Sequence, residues 1–240
     1  LGLTVLIAYL AGILWTVRIS FSSSKMLPKS DWVGLKQYDL LFASDRWATD
    51  LANLALFGAT FISGAMILGF LLAVFIDQKI RFEGFFRTVY LYSYSLSFVA
   101  SGVIWQWMLN PMLGIQQTLR SWGWENARFD WIVSQEMAIY CVTIAVLWHS
   151  AGLVMAILLA GLRGVDDELW KAAQIEGIPR WRYYTHIVLP QLGPSLGTCL
   201  VLLSVAVIKV FDAVVAMTNG GPGDATDVPT KFIMDNLFER

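Results

Sequence analysis

Lys209 and Asp212 stand three residues apart in an otherwise uncharged stretch, 192–218, and share one face if that stretch is helical. Charges in an apolar solvent are costly and normally face a cavity, a partner or each other. The pair therefore has two readings: a neutralising intrahelical ion pair, or polar lining for a solute pathway. His149, with Ser150 and Gly152 in another uncharged stretch, offers a similar choice, and a hydrogen-bonded packing histidine is favoured over a pathway group. Catalysis lacks its residues. There is no H-E-x-x-H, no G-x-S-x-G and no clustered His–carboxylate set for a metal or a triad. No Gly-Lys dipeptide occurs, so a nucleotide-binding P-loop is absent. Gly220-Gly221-Pro222-Gly223 is followed by no Lys-Ser or Lys-Thr helix and reads as an irregular outer loop. Cys141 and Cys199 lie far apart in apolar blocks and read as small buried hydrophobes.

The elements around these groups are dictated by solvent. Of 240 residues, 57% are hydrophobic and 15% charged. No Asp, Glu, Lys or Arg occurs between Asp50 and Asp77, Arg87 and Arg120, or Glu136 and Arg163. Each gap exceeds the roughly 20 residues that a helix needs to cross a bilayer. Lipid cannot satisfy free backbone groups, and barrel strands would alternate in polarity, so these stretches must be helical. Five spans are expected, at 1–20, 51–76, 88–109, 137–162 and 192–218. Because Leu1 opens inside an apolar run, residues 1–17 are not read as a signal peptide, and the chain is expected to be a fragment. A net charge of −1 argues against nucleic acid as a partner.

Lys and Arg density near span ends sets orientation. The loop 77–87 holds Lys79, Arg81 and Arg87, and 163–191 holds Arg163, Lys171, Arg180 and Arg182. Both are expected in the cytoplasm, which also puts the N-terminus there. The loop 21–50 balances Lys25, Lys29, Lys36 and Arg46 with Asp31, Asp39, Asp45 and Asp50. Trp47, Trp105, Trp107, Trp122, Trp124 and Trp131 cluster near the expected outer ends, as an aromatic belt does.

The stretch 166–190, DDELWKAAQIEGIPRWRYYTHIVLP, is more than a connector. Asp166 suits an N-cap, and Asp167 and Glu168 then fall in the first turn, where the helix dipole favours acids. Leu169, Ala172, Ala173 and Glu176 follow helical spacing along one face. Gly177 can take the left-handed conformation that closes a helix, and Pro179 blocks its continuation. A second short helix is expected from about Arg180 to Leu189, with Pro190 turning the chain into the membrane. The spacing thus predicts an L-shaped helix–turn–helix, with small Ala172 and Ala173 allowing another surface to approach closely.

This stretch resembles the EAA loop of importer-type ABC permeases, whose pattern is E-A-A, then D-G, then I-x-L-P. It reads here Lys171-Ala172-Ala173, Glu176-Gly177 and Ile187-Val188-Leu189-Pro190, with Lys171 in place of the first Glu and Glu176 in place of Asp. Residues 38–240 resemble the carbohydrate branch of that family, including maltose-, glycerol-phosphate- and glucose-type permeases. Phe211-Asp212 with Thr218-Asn219-Gly220-Gly221-Pro222-Gly223 is similar to its penultimate span, and Asp77-Gln78-Lys79-Ile80-Arg81 with Gly84-Phe85-Phe86-Arg87-Thr88 is also typical of it.

The resemblance implies an all-α, multi-span bundle of the type I importer permease kind, five spans within the chain and a sixth beyond Arg240. It implies that Glu168, Lys171, Ala172, Ala173, Glu176, Gly177, Leu189 and Pro190 couple the chain to an ATPase. The expected partners are a second permease, two copies of a P-loop ATPase and an extracytoplasmic sugar-binding protein, in a prokaryotic inner membrane. ATP and Mg are expected in the ATPase subunits, with no cofactor or metal bound by this chain, which is not itself an enzyme. A sugar is recognised by hydrogen bonds and by stacking on aromatics, so Asn53, Tyr94, Trp105, Asn110, Lys209 and Asp212 are the pathway candidates, with Tyr92, Ser97 and Gln106 beside them. Two other classes fit the sequence less well. An ion-driven secondary transporter needs inverted repeats and midplane acids, and only Asp212 is available. A membrane-embedded enzyme needs a polar cluster across several spans, which the sequence lacks.

Overall fold

The computed structural model describes residues 2–24, 31–78 and 80–238. The charge readings on Lys25, Lys29 and Lys79 fall outside those residues, as does the side chain of Asp167. Apart from one isolated bridge between Ser22 and Trp32, the regular elements among the described residues are helical. In chain order they are α1 (Gly2–Ser20), α2 (Lys36–Phe42), α3 (Asp45–Asp77), α4 (Glu83–Ser95), α5 (Phe98–Met108) and α6 (Ile115–Ser121). A 3₁₀ turn at Asp130–Val133 leads into α7 (Ala138–Leu162), followed by α8 (Asp167–Ile175) and α9 (Arg180–Gln191). The chain then forms α10 (Gly193–Ile208), α11 (Asp212–Met217) and α12 (Pro229–Phe238).

The core is built around α7. Val142, Val154, Met155 and Leu158 are each at most 1% exposed, on different sides of this helix. Such all-round apolarity belongs to a helix surrounded by others. Against it lies α3, whose buried residues Phe57, Phe61, Ala65, Gly69, Ala73 and Ile76 recur every three or four positions and mark a single face. The opposite face of α3 leaves Ile67 and Leu71 exposed, suited to lipid or to another membrane helix. Lipid is as apolar as leucine, so helix contacts in this region depend on close packing and small residues more than on the hydrophobic effect.

The α4–α7 crossing shows this. A Cβ placed on Gly152 would sit 2.0 Å from the Tyr90 carbonyl oxygen, so only glycine allows the two backbones to approach this closely. Gly152→Ala is expected to push α4 away and to cost about 1–3 kcal/mol. The measurement is the thermal midpoint of the detergent-solubilised protein, which should fall relative to wild type.

Among the described residues, two helices, α3 and α7, are by themselves long and apolar enough to cross a membrane. The stretch 88–109, expected as one span, is broken: α4 stops at Ser95, Leu96 is extended, and Ser97 starts α5 by accepting the Ala100 N–H at 3.1 Å. The stretch 192–218 is broken as well, between Ile208 and Asp212. A charge-free run declares its solvent, whereas a break within it is set by a single cap or a tertiary contact. Cys141 and Cys199 are buried and free.

Candidate functional site

The stretch 166–190 forms a helical hairpin. Asp166 caps α8, its Oδ1 accepting the Glu168 N–H at 2.9 Å. At the other end Gly177 adopts φ +70°; its N–H donates to the Gln174 carbonyl at 3.2 Å and that of Ile178 to the Ala173 carbonyl at 2.9 Å. These two bonds form the Schellman closure of a helix, which the left-handed glycine makes possible. Pro179 then precedes α9 in an extended conformation, φ −67° and ψ 147°.

Packing decides which face of α8 turns inward. The Trp170 and Tyr183 rings meet edge to face at 4.8 Å between centroids, and the Arg180 guanidinium lies 5.8 Å above Trp170. Ala173 is 2% exposed behind them. Lys171, Ala172 and Glu176 point outward instead, so the expected stripe of Leu169, Ala172, Ala173 and Glu176 divides between two faces. The large Trp170 anchors the helix about its own position. Among the outward residues is Ile175, which is 87% exposed. An isoleucine placed off the buried stripe of a capped surface helix is the signal by which a sequence reading finds it.

Beyond the turn, α9 winds as a π-helix over Tyr183–Val188 and runs on through Pro190 to Gln191. Pro190 has no N–H for the fourth carbonyl before it, and a local widening of the helix accommodates such a defect. The turn into the membrane therefore does not occur at Pro190 as expected. The axis bends by 74° at the break between Gln191 and Gly193. Leu189 is half-buried and Pro190 exposed at this corner.

The hairpin touches the end of α3, and Arg163, at the end of α7 where the hairpin is rooted, reaches the start of α4. Arg163 forms an ion pair with Glu83. The Tyr184 hydroxyl donates to Asp77 Oδ2 at 3.3 Å, and Arg180 Nη1 donates to Gln78 Oε1 at 3.5 Å. A cavity of about 750 Å³ lies beneath these ties, walled also by Leu162, Trp170 and Val188. The loops 77–87 and 163–191 thus share one end of the molecule, as their charges require.

The pathway candidates divide into two groups. Between α10 and α11, Phe211 leaves helical geometry at φ −146°, and no ion pair among the described residues joins Lys209 to Asp212. Both side chains are exposed, and the reading as an intrahelical pair does not hold because the helix between them is interrupted. Tyr94 is 45% exposed, and Trp105 sits edge-on to Trp148 at 6.0 Å. Asn53 and Asn110, by contrast, spend their amides on backbone. Asn53 Nδ2 donates to the carbonyls of Asp224 and Asp227, and Asn110 Oδ1 accepts the N–H groups of Met112 and Leu113. His149 is the packing histidine favoured by the sequence reading, 2% exposed, with Phe98 at 4.1 Å and Ser101 Oγ 3.5 Å from its Nδ1.

Residues 41–236 match the family described as the binding-protein-dependent transport system inner membrane component. The chain belongs to that family. A probable ABC transporter permease of Pyrococcus horikoshii is 37% identical over 216 residues, 89% of this chain and 74% of its own length. A xylose/arabinose import permease of Haloferax volcanii is 30% identical over 237 residues, 97% of this chain and 74% of its own. A trehalose/maltose transport system permease of Thermococcus litoralis is 28% identical over 83% of this chain and 68% of its own length. The fold is shared with a chain of a bacterial ABC transporter that imports the acidic polysaccharide alginate. The TM-score is 0.82 at 19% identity, covering 99% of this permease and 82% of that chain.

At its other end the permease is held by a second polar cluster. Arg46, near the start of α3, donates from Nε to Asp227 Oδ2 at 2.7 Å and also pairs with Asp235 on α12. Lys231 Nζ reaches the same Asp235 carboxylate at 2.7 Å. Burial pushes the Asp235 carboxyl up, but hydrogen bonds from Lys231 and Arg46 outweigh it and hold the group below the usual carboxylate range. The cluster ties the Gly220–Gly223 loop and its flanks to α3, and it was not legible in the sequence because its partners are 181 and 189 residues apart. Of the expected aromatic belt, Trp107, Trp122, Trp124 and Trp131 are exposed, while Trp47 packs on Phe232 at 5.4 Å.

Proposed function

We propose that the chain is one of two different permease subunits of an ATP-driven importer for a sugar or sugar derivative. The single observation behind this reading is the capped α8–α9 hairpin, with Ile175, Lys171, Ala172 and Glu176 turned outward, on a member of a binding-protein-dependent permease family. Xylose, arabinose, trehalose and maltose in the names of relatives, and alginate in those of the structural neighbours, support a carbohydrate as the solute. The partners would be a second permease, two copies of a P-loop ATPase and an extracytoplasmic binding protein. ATP and Mg would be held by the ATPase pair. The hairpin end would face the cytoplasm of a prokaryotic cell, with the N-terminus on the same side of the inner membrane.

The mechanism of this proposal is alternating access. Closure of the ATPase pair on ATP draws the hairpin inward, and the two permeases rock so that their shared cavity faces outward. The docked binding protein then releases sugar toward Tyr94, Trp105, Lys209 and Asp212. Hydrolysis reopens the cavity to the cytoplasm. Gentle affinity purification from native membranes, followed by mass spectrometry, tests the assembly. A P-loop ATPase and a second permease should be retained, and recovery of the chain alone or as a homodimer would overturn the reading.

Ile175 is the apolar anchor expected at the ATPase contact. A fully exposed apolar side chain that becomes buried at the centre of an interface commonly carries more than about 1 kcal/mol. Ile175→Glu is expected to weaken retention of the ATPase about tenfold or more, since 1.4 kcal/mol is a factor of ten. Titrated pull-down against the wild-type permease is the measurement.

A further inference from the structure

We infer that residues 77–87 belong to the coupling machinery: Asp77 and Gln78 grip the α8–α9 hairpin, Glu83 grips Arg163 at its root on the end of α7, and together they pass its movement along α4 toward the solute pathway. The inference rests on the importer reading above and extends it to a loop outside the 166–190 element.

The hairpin is joined covalently to α7 and α10 and stands over the cavity of about 750 Å³ on the bundle side. The hairpin packs Ala173, Tyr183 and Val188 into the core on one side, and on the cavity side its polar contacts set how far it can shift. Among the described residues, three polar contacts run from this segment to the end of α3 and the start of α4: Arg163, at the end of α7 where the hairpin is rooted, with Glu83; Tyr184 with Asp77; and Arg180 with Gln78. Half-exposed pairs of this kind add little to stability, typically about 0–1 kcal/mol. Their concentration on one seam is better explained by force transmission than by stability. The two hydrogen bonds, at 3.3 and 3.5 Å, are long enough to break and re-form during a cycle.

Glu83 is the first residue of α4, so a displacement of its carboxylate acts on the end of a rigid rod. Further along that rod, Tyr90 crosses α7 in backbone contact with Gly152, and Ser93 Oγ donates to the Trp148 carbonyl at 3.1 Å. Tyr94 then lies 5.5 Å from His149. Movement imposed at Glu83 is thus delivered one helix-length away, beside the pathway candidates. Packed helices shift between discrete arrangements rather than deforming continuously, which makes such a rod an effective transmitter.

The test uses the assembled complex in proteoliposomes with Ser95→Cys as a reporter at the far end of α4. Its labelling rate by N-ethylmaleimide is compared between the nucleotide-free state and the state trapped with ATP and vanadate. In the otherwise wild-type complex the rate should change on trapping. Glu83→Arg or Arg163→Glu should shrink that change at least about fivefold, the lower end of ordinary coupling between sites. The double exchange, Glu83→Arg with Arg163→Glu, should restore it. If either reversal prevents assembly, Glu83→Gln and Tyr184→Phe replace it, with the same reduction expected. An unchanged response in the single variants, no response in the wild-type background, or no rescue by the exchange would overturn the inference. Failure of the importer reading appears separately, as a complex without an ATPase.

Discussion

Gly177→Pro is expected to abolish solute uptake and coupled ATP hydrolysis while leaving membrane insertion intact. The position has φ +70°, whereas proline is confined near −65°, and the substitution also removes the N–H that bonds the Gln174 carbonyl. Proline inside a helix end that cannot accept it costs about 3 kcal/mol or more. The expense falls on the hairpin alone, because a Cβ at Gly177 would meet no neighbour within 4 Å. The bundle around α7 keeps its packing and the protein should reach the membrane at wild-type levels. What changes is the angle between α8 and α9, and with it the direction in which Ile175 projects. Gly177→Asn is the control, since asparagine tolerates left-handed geometry at helix ends. It should retain most transport. Wild-type uptake by the proline variant, measured in membrane vesicles from the native host, would remove the hairpin from the coupling path.

The second large effect is at the opposite end. Arg46→Ala leaves the Asp227 carboxylate, whose side chain is 2% exposed, without its cation. Breaking a buried pair by removing one partner typically costs about 3–5 kcal/mol, because the remaining charge is stranded. Arg46 is itself 30% exposed, so water can relieve part of that cost and the lower end of the range is expected. The Gly220–Gly223 loop should detach from α3, together with the bonds from Asn53 to the carbonyls of Asp224 and Asp227. The thermal midpoint should fall by several degrees, and a protease acting on the face that carries this loop should cut near residue 224. Arg46→Lys keeps the charge but not the two-pronged geometry that reaches Asp227 and Asp235 together, and should recover only part of the loss. A midpoint unchanged in Arg46→Ala would show that the cluster does not hold the loop.

These two sites also mark how far the sequence could be read. Gly177 was legible because a helix cap is a local device. Asp166, Gly177 and Pro179 settle the ends of α8 within a dozen residues, through bonds that span at most five positions. The membrane was legible for a similar reason, since a charge-free run longer than a bilayer crossing leaves one solvent available. Arg46 was not legible, because its partners come from the far end of the chain and carboxylates near a glycine-rich loop are unremarkable in sequence.

The breaks at Leu96–Ser97 and at Lys209–Phe211 lie between these cases. Both interrupt stretches whose composition permits one continuous helix, and both are chosen by contacts: the cap that Ser97 makes to Ala100, and the bond from Thr230 Oγ1 to the Val210 carbonyl. By itself, the sequence determined that the chain is helical and lipid-embedded, that it carries a capped hairpin between residues 166 and 190, and which residues close that hairpin. Tertiary structure decided which face of α8 is outward, where the apolar helices break, and which charges meet. Local propensities and solvent act over a few residues, whereas those choices are made by partners brought together only when α3, α4, α7 and α10 pack.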